Sequence, residues 1–266
     1  MKKVIYISII IIGFLSCNNR TNKTTDNHSI DTIQNNFQSL VEIGSSNIYN
    51  DIYFLVEKFV DSTSIGQKGH NKVEISYYVN DSLLDAFVRL FFWRKGEYND
   101  VRETDWWYTG NFIFDGSQGL TWADKPLETE ISDFNNDGYN DFTYRSIVAA
   151  RGGNDIRKLF IYNPKENKFI YIKNSEVYPN LRYNKETDCI TSYIYTATQS
   201  QYFLKLDGDS LVEIAYIEIE LDEEDEMYIY VYEIDKNNNK KLIEQKKTNF
   251  DIMPYYSNYK PLRKLK

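Results

Sequence analysis

Ten residues near the middle of the chain limit its folding more than any other stretch: Asp133-Phe134-Asn135-Asn136-Asp137-Gly138-Tyr139-Asn140-Asp141-Phe142. Oxygen-bearing side chains alternate at Asp133, Asn135 and Asp137, Gly138 follows where a chain must turn sharply, and Asp141 closes the run. Carboxylates this close together repel unless a cation lies between them. Hard divalent cations take oxygen ligands at this alternate spacing. The pattern predicts a calcium loop over 133–141, with Asp133, Asn135, Asp137, Tyr139 and Asp141 at the ligand positions. Without metal, the same residues read as an Asn/Asp-rich turn between two strands, which Gly138 also favours.

The flanks decide what surrounds that loop. An EF-hand needs a bidentate Glu at its twelfth position and a helix on each side; here the twelfth residue is Tyr144. Upstream, Leu127, Thr129 and Ile131 alternate with Glu128, Glu130 and Ser132. Downstream, Phe142 to Val148 is rich in aromatic and β-branched residues. Both sides read as strands. A calcium loop between strands is a structural staple, not a sensor.

The rest of the chain repeats the strand signature. Val73, Ile75, Tyr77 and Val79 alternate with Glu74, Ser76 and Tyr78, and Ala86 to Trp93 also suits a strand. Ile52 to Val60 is apolar and fits either a short helix or a buried strand. Asp81-Ser82 has the chemistry of a helix cap. Leu159 to Tyr162 and Phe169 to Ile172 flank a turn at 163–167. Ile190 to Tyr195 and Tyr202 to Leu206 flank Thr196–Gln201. The turn at 207–210 leads into Leu211–Leu221, and Met227–Ile234 pairs with Lys241–Lys247. Aromatics make up 16% of the 266 residues, with 23 Tyr and 15 Phe, a bias that favours sheet. The expected fold is all-β, built of consecutive antiparallel hairpins, propeller-like or sandwich, with one calcium loop between strands.

The start of the chain predicts export. Met1-Lys2-Lys3 is a basic region, Val4 to Leu15 an apolar one, and Phe14-Leu15-Ser16-Cys17 has the form of a lipobox. We therefore expect a signal peptide over 1–16, lipidation of Cys17, a flexible Asn/Thr-rich tether over 17–36, and a single domain over 37–266. The expected location is the cell envelope, lipid-anchored at the outer membrane and facing the periplasm. Once the leader is removed only Cys189 remains as a free thiol, so the domain has no internal disulfide. The net charge of −8 becomes −10 when Lys2 and Lys3 leave with the leader. That balance argues against nucleic acid or an anionic membrane as a partner, allows a basic protein partner, and leaves the lipid anchor as the only expected membrane contact.

Catalytic signatures are absent from the sequence. It has no His-Glu-x-x-His, Gly-x-Ser-x-Gly or Cys-x-x-Cys pattern, and its two His residues, His28 and His70, fall in the tether and in a glycine loop. The expectation is a protein that is not an enzyme. Trp106-Trp107-Tyr108 reads first as a strand burying Trp106 and Tyr108 and partly exposing Trp107. An alternative is a stacking platform for a cell-envelope glycan. The acidic run from Glu218 to Glu226 reads as a solvated hairpin tip, with a second cation site as the less favoured reading. A carboxylate-pair glycan hydrolase is a third functional possibility, since 39 Asp and Glu residues leave such a pair open.

Ile131-Ser132-Asp133 through Phe142 resembles an FG-GAP/VCBS-type repeat, whose calcium loops sit between propeller strands. A longer stretch, from Leu127 to Tyr232, is similar to exported lipoproteins that act as immunity proteins against lysozyme-like effectors of a type IV secretion system. It takes in the Arg151-Gly152-Gly153-Asn154 loop, the Leu159–Tyr171 hairpin and Tyr202–Leu211. The resemblance implies calcium binding and inhibition of a peptidoglycan hydrolase by a loop inserted into the enzyme's cleft. The matching partner-binding residues are Thr196, Ala197, Thr198, Gln199, Ser200, Gln201 and Tyr202.

Overall fold

Alternation of apolar and polar residues sends every second side chain to the same side of a strand. In β2 (Asn71–Asn80), Val73, Ile75 and Tyr77 are buried; in β3 (Asp85–Lys95), Ala86, Val88, Leu90 and Phe92 are buried in the same way. The two strands pair antiparallel in a register that puts Val73 opposite Phe92 and Ile75 opposite Leu90. The computed structural model describes residues 53–80, 85–96, 106–115, 127–195, 199–221 and 226–247. All of them belong to one compact unit, Tyr49–Lys266. The expected cap at Asp81-Ser82, the leader and the tether lie outside the described residues.

Among the described residues there are fourteen strands in three antiparallel sheets, each sheet running its strands in chain order. The first sheet holds β1 (Phe54–Asp61), β2, β3 and β4 (Trp106–Asp115). The second holds β5 (Thr129–Ser132), β6 (Asp141–Ala149), β7 (Asn154–Asn163) and β8 (Lys168–Ile172). The third holds β9 (Arg182–Asn184), β10 (Cys189–Tyr195), β11 (Gln199–Asp207), β12 (Ser210–Leu221), β13 (Met227–Ile234) and β14 (Lys240–Lys247). The all-β expectation holds, and among the described residues no sheet closes into a barrel, so the architecture is sandwich-like.

The second sheet is apolar on both faces. From β7, Phe160 and Tyr162 join Val73, Leu90 and Phe92 of the first sheet in one core. Leu159 and Ile161, on the opposite side of the same strand, join Ile190, Leu204 and Leu211 of the third sheet in another. This explains why β7 reads as an unbroken apolar run instead of an alternating one. The first core is aromatic: Phe142 and Phe160 stack at 4.7 Å between ring centres, and Phe92 lies 5.3 Å from Phe169. A third cluster, with Phe203, Ile217, Ile229 and Val231, lies on one side of the third sheet.

Two strands depart from expectation. β1 is an edge strand, neither helical nor buried; Phe54, Leu55, Val56 and Val60 are each half exposed or more. In β4, Trp106 and Trp107 are both half-buried, and Tyr108 is the exposed residue of the triplet. The reason is a bulge: Phe92 pairs with Gly110 and Trp93 with Tyr108, leaving Thr109 as an extra residue that resets the alternation.

One buried charge ties β7 to its neighbours. Arg157 is almost fully buried; it donates to Asp155 Oδ2 (2.7 Å), the Glu128 carbonyl (3.0 Å) and Glu128 Oε1 (3.2 Å). Arg145 donates to the other oxygen of Asp155 (2.9 Å). Burial alone would raise the Asp155 carboxyl, but hydrogen bonds from both guanidinium groups outweigh it and hold the group below its ordinary range. Its contribution to stability is present above the ordinary carboxylate range and is lost as pH falls through the lowered value. Replacing Asp155 by Ala leaves buried Arg157 with Glu128 as its remaining carboxylate partner, and denaturant melts should show a loss of about 2 kcal/mol, discounted for that partner and for the partial exposure of Asp155.

Candidate functional site

The 133–141 loop is folded on its own backbone. Asp133 accepts from the amides of Asp137 (3.1 Å) and Gly138 (2.9 Å), Asn135 Oδ1 accepts from Asp137 N (3.2 Å), and Asp137 Oδ1 accepts from Tyr139 N (2.9 Å). Gly138 sits at φ +90°, a conformation that carries little penalty only without a Cβ. Asn136, at φ +58°, donates to Asp188 (3.1 Å) in the turn between strands 182–184 and 189–195 of the third sheet. β5 and β6 enter and leave the loop, with Ser132 paired to Asp141. The sequence expectation of strands on both flanks is thus met.

Asp141 lies differently from the other carboxylates. It is fully buried, and its two oxygens accept from Phe134 N and Tyr162 N, each at 2.8 Å. Burial raises its carboxyl to about 8; the two amide bonds oppose the shift, while the charges of Asp137 and Asp133 add to it. A cation at the loop would favour the ionised form of this group. The donors are hard oxygens, the chemistry that calcium selects. As the side chains stand, no group of three or more His, Cys, Asp or Glu is gathered to hold a metal among the described residues. Ion binding would therefore require the carboxylates of Asp133, Asp137 and Asp141 to draw together around the ion. The fit is one of donor type and order along the loop.

The loop is anchored beyond its own sheet. Gly66 N donates to the Asn140 carbonyl (2.7 Å), and Asn140 Nδ2 donates to the Ser64 carbonyl (2.8 Å). Phe134 packs in the core shared with the third sheet, Phe142 in the core shared with the first. Ten residues therefore touch all three sheets.

A second arrangement surrounds the turn between β10 and β11. β11 begins at Gln199, so the connection is shorter than the sequence suggests: Gln199 pairs with Tyr195, Ser200 with Ile194, Gln201 with Tyr193 and Tyr202 with Ser192. Gln201 is buried and Tyr202 half-buried, its ring 5.9 Å from that of Tyr216. Thr196, Ala197 and Thr198 lie outside the described residues, as does Cys17. Tyr195, at 47% exposure, stands at the end of the hairpin beside Tyr193, their rings 4.5 Å apart. The Tyr193 hydroxyl donates to Gln199 Oε1 (2.6 Å).

The glycine loop clamps this hairpin end, a connection that no sequence pattern signalled. Asn154 Oδ1 accepts from Tyr195 N (2.8 Å), and Asn154 Nδ2 donates to the Tyr195 carbonyl (3.0 Å). Asn180 Nδ2 reaches the carbonyls of Gly153 (2.9 Å) and Tyr193 (2.7 Å). A Cβ at Gly153 would meet the Tyr195 Cβ at 3.2 Å, so the close approach depends on that glycine. Just before it, Ala150 (φ +50°) and Arg151 (φ +54°) hold left-handed backbone that residues with a Cβ rarely adopt, and both are exposed or nearly so. Such strain persists only where surrounding contacts impose it.

The other singled-out residues have structural surroundings. Cys189 is buried and contacts Thr187 Oγ1 at 3.1 Å; burial pushes its thiol up, away from a reactive thiolate. At the acidic run, Glu218 and Glu220 lie on β12, Glu226 pairs with Lys247, and residues 222–225 are outside the described set.

No family model matches the chain, and no curated protein matches it. Among solved structures, a likeness is found to one titled "Structure of a Xanthomonas Type IV Secretion System related protein", at 10% identity and a TM-score of 0.43, covering 76% of this chain and 97% of that one. A likeness of that degree assigns neither fold nor function to this chain.

The clamp makes a local prediction. In Asn154→Ala, amide hydrogen exchange at Tyr195 and Gln199 should rise well above wild type while β7 amides stay protected, with a loss of about 1 kcal/mol in global stability for the missing hydrogen bonds.

Proposed function

We propose that the chain is a calcium-binding exported lipoprotein that acts by binding another protein. In its sharpest form it inhibits a lysozyme-like peptidoglycan hydrolase and serves as an immunity protein. The observation that carries this reading is the end of β10, where Asn154 and Asn180 hold the backbone of Tyr193 and Tyr195 beside the strained Ala150–Arg151 turn. Residues whose backbone is already held lose little entropy on docking, and Tyr and Arg dominate binding hot spots. The candidate anchors are Tyr195 and Arg151, together with the 196–202 segment whose resemblance suggested the partner. The acidic balance of the chain favours a basic enzyme through steering.

In this reading calcium has no chemical step. Asp133, Asn135, Asp137, the carbonyl of Tyr139 and Asp141 would hold it, and the ion would neutralise the carboxylates. The protein's own residues do the rest: Asn140 and Gly66 join the loop to the first sheet, and Asp141 fastens it to β7.

Two experiments test the proposal. Adding calcium to metal-free protein should raise Tm, by an amount equivalent to about 2.7 kcal/mol at a hundredfold excess over Kd. Asp137→Ala should remove the calcium-dependent part. No shift at saturating calcium contradicts the metal site. Separately, the protein should inhibit at least one member of a panel of lysozyme-type muramidases. Tyr195→Ala should weaken that inhibition about tenfold or more, the scale of a hot-spot residue. A panel left fully active in the presence of calcium rejects the inhibitor reading.

A further inference from the structure

An antiparallel sheet that packs on one side ordinarily carries small polar or charged residues on the other. The third sheet buries Phe203, Ile217, Ile229 and Val231 on one side. On the other side of β13 the alternate residues are Tyr228, Tyr230 and Tyr232. The register extends this pattern across the sheet: Tyr202, Tyr216 and Tyr232 stand in one row, and Glu218 with Tyr230, then Glu220 with Tyr228, form the next two. The rings of Tyr202 and Tyr216 lie 5.9 Å apart with planes 18° from parallel, those of Tyr216 and Tyr232 4.6 Å apart at 12°. Tyr230 follows 6.4 Å from Tyr232. Tyr216 is buried inside this stack, while Tyr228, Tyr230 and Tyr232 are half-buried, and these four belong to none of the three cores.

Negative charge on this face exceeds positive. Its cations are Lys240, which lies over the Tyr216 ring (4.5 Å) and donates to the Tyr216 hydroxyl (3.2 Å), and Lys247, which pairs with Glu226. The remaining carboxylates are Glu213, Glu218 and Glu220 on β12, and uncharged Ser200, Leu242 and Gln245 complete the face. Glu213 accepts from the Tyr178 hydroxyl (3.1 Å). Glu218 and Glu220 have no ion pair among the described residues. Burial, and after it the charge of Glu220, raises the Glu218 carboxyl; the Lys240 charge and a hydrogen bond from Tyr232 oppose the rise. A cation supplied from outside would relieve both carboxylates.

We infer that the tyrosine face of the third sheet docks an arginine-bearing protein partner. Tyrosine presents a large amphipathic surface with few rotamers to freeze, and the stack has already ordered these rings. A guanidinium lies against a tyrosine ring while taking a carboxylate such as Glu218 or Glu220 with two parallel hydrogen bonds, a geometry that an ammonium does not match. A sugar is the poorer occupant, because Tyr216 and Tyr232 turn their ring faces toward each other instead of toward solvent. Tyr193 and Tyr195 lie on the opposite side of the sheet, since Tyr193 pairs with Gln201 and Gln201 with Ile217. The tyrosine face is therefore a second contact surface, and it stands or falls independently of the hydrolase reading.

The test uses a defined probe. Isotope-labelled protein is titrated with a glycine peptide carrying two arginines, and backbone amide shifts are followed. The amides of Glu218, Glu220, Tyr228, Tyr230 and Tyr232 should move together, and the same peptide with lysines should bind more weakly. Tyr230→Ser and Glu220→Gln should each weaken binding about fivefold, the scale of one cation–π contact or ion pair. Tyr230→Phe, which keeps the ring, should retain it. Glu220 is exposed, so Glu220→Gln keeps the test decisive if Tyr230→Ser unsettles the sheet. Unmoved amides on this face, shifts spread over acidic residues of the whole chain, equal binding of the lysine peptide, or unchanged binding in both variants overturns the proposal. Stronger shifts on this face with a neutral chitin oligosaccharide also overturn it and assign the face to glycan.

Discussion

The two hydrogen bonds accepted by Asp141 hold the structure's middle together. One carboxylate, with no exposure to solvent, takes the amide of Phe134 from the loop and the amide of Tyr162 from β7. Because Phe134 faces the core shared with the third sheet and Phe142 the core shared with the first, the same few residues set the relation of loop to both. A buried acceptor in this position is costly to leave uncompensated. The nearby acidic side chains raise that cost when they are charged, and a cation would lower it. The domain has no disulfide among its described residues, since Cys189 is a free buried thiol. In the proposed reading, a cation bound at 133–141 would offer the cross-link that cysteines do not.

What the loop holds in place is a surface, and the surface has distinct regions. At the end of β10, Asn154 and Asn180 hold Tyr193 and Tyr195 against a backbone already strained at Ala150 and Arg151. On the first sheet, a bulge at Phe92/Trp93 turns Tyr108 outward beside Phe91 and Trp93. A protein that acts by contact needs rigid, exposed aromatic anchors more than it needs reactive groups. Both regions supply them. The proposed function assigns the end of β10 to a protein partner.

Much of the scaffold was legible because period-two alternation is a local signal: β2, β3, the β7–β8 hairpin and the β13–β14 pair lie where their patterns predict. Even the unbroken apolar run of β7 carried information, since it reflects burial on both faces of the second sheet. The misreadings have physical causes. β1 is as apolar as a core strand yet lies at an edge, and composition does not distinguish the two. The extra residue at Thr109 reversed the expected exposure of Tyr108, because a bulge changes phase without changing residue type. The donor order of the 133–141 loop was readable, but the inward turn of Asp141 was not, since its partner Tyr162 is 21 residues away. The clamp from Asn154 to Tyr195 spans 41 residues and left no trace in either local pattern.

The most direct measurement of the central claim is native-state hydrogen exchange at the amides of Phe134 and Tyr162, with calcium and with chelator. If calcium binds the loop and the loop staples the sheets through Asp141, both amides should slow together when calcium is added, and β6 and β7 should gain protection with them. Exchange at the two amides that does not change with calcium, or a change confined to residues 135–139, would contradict the account.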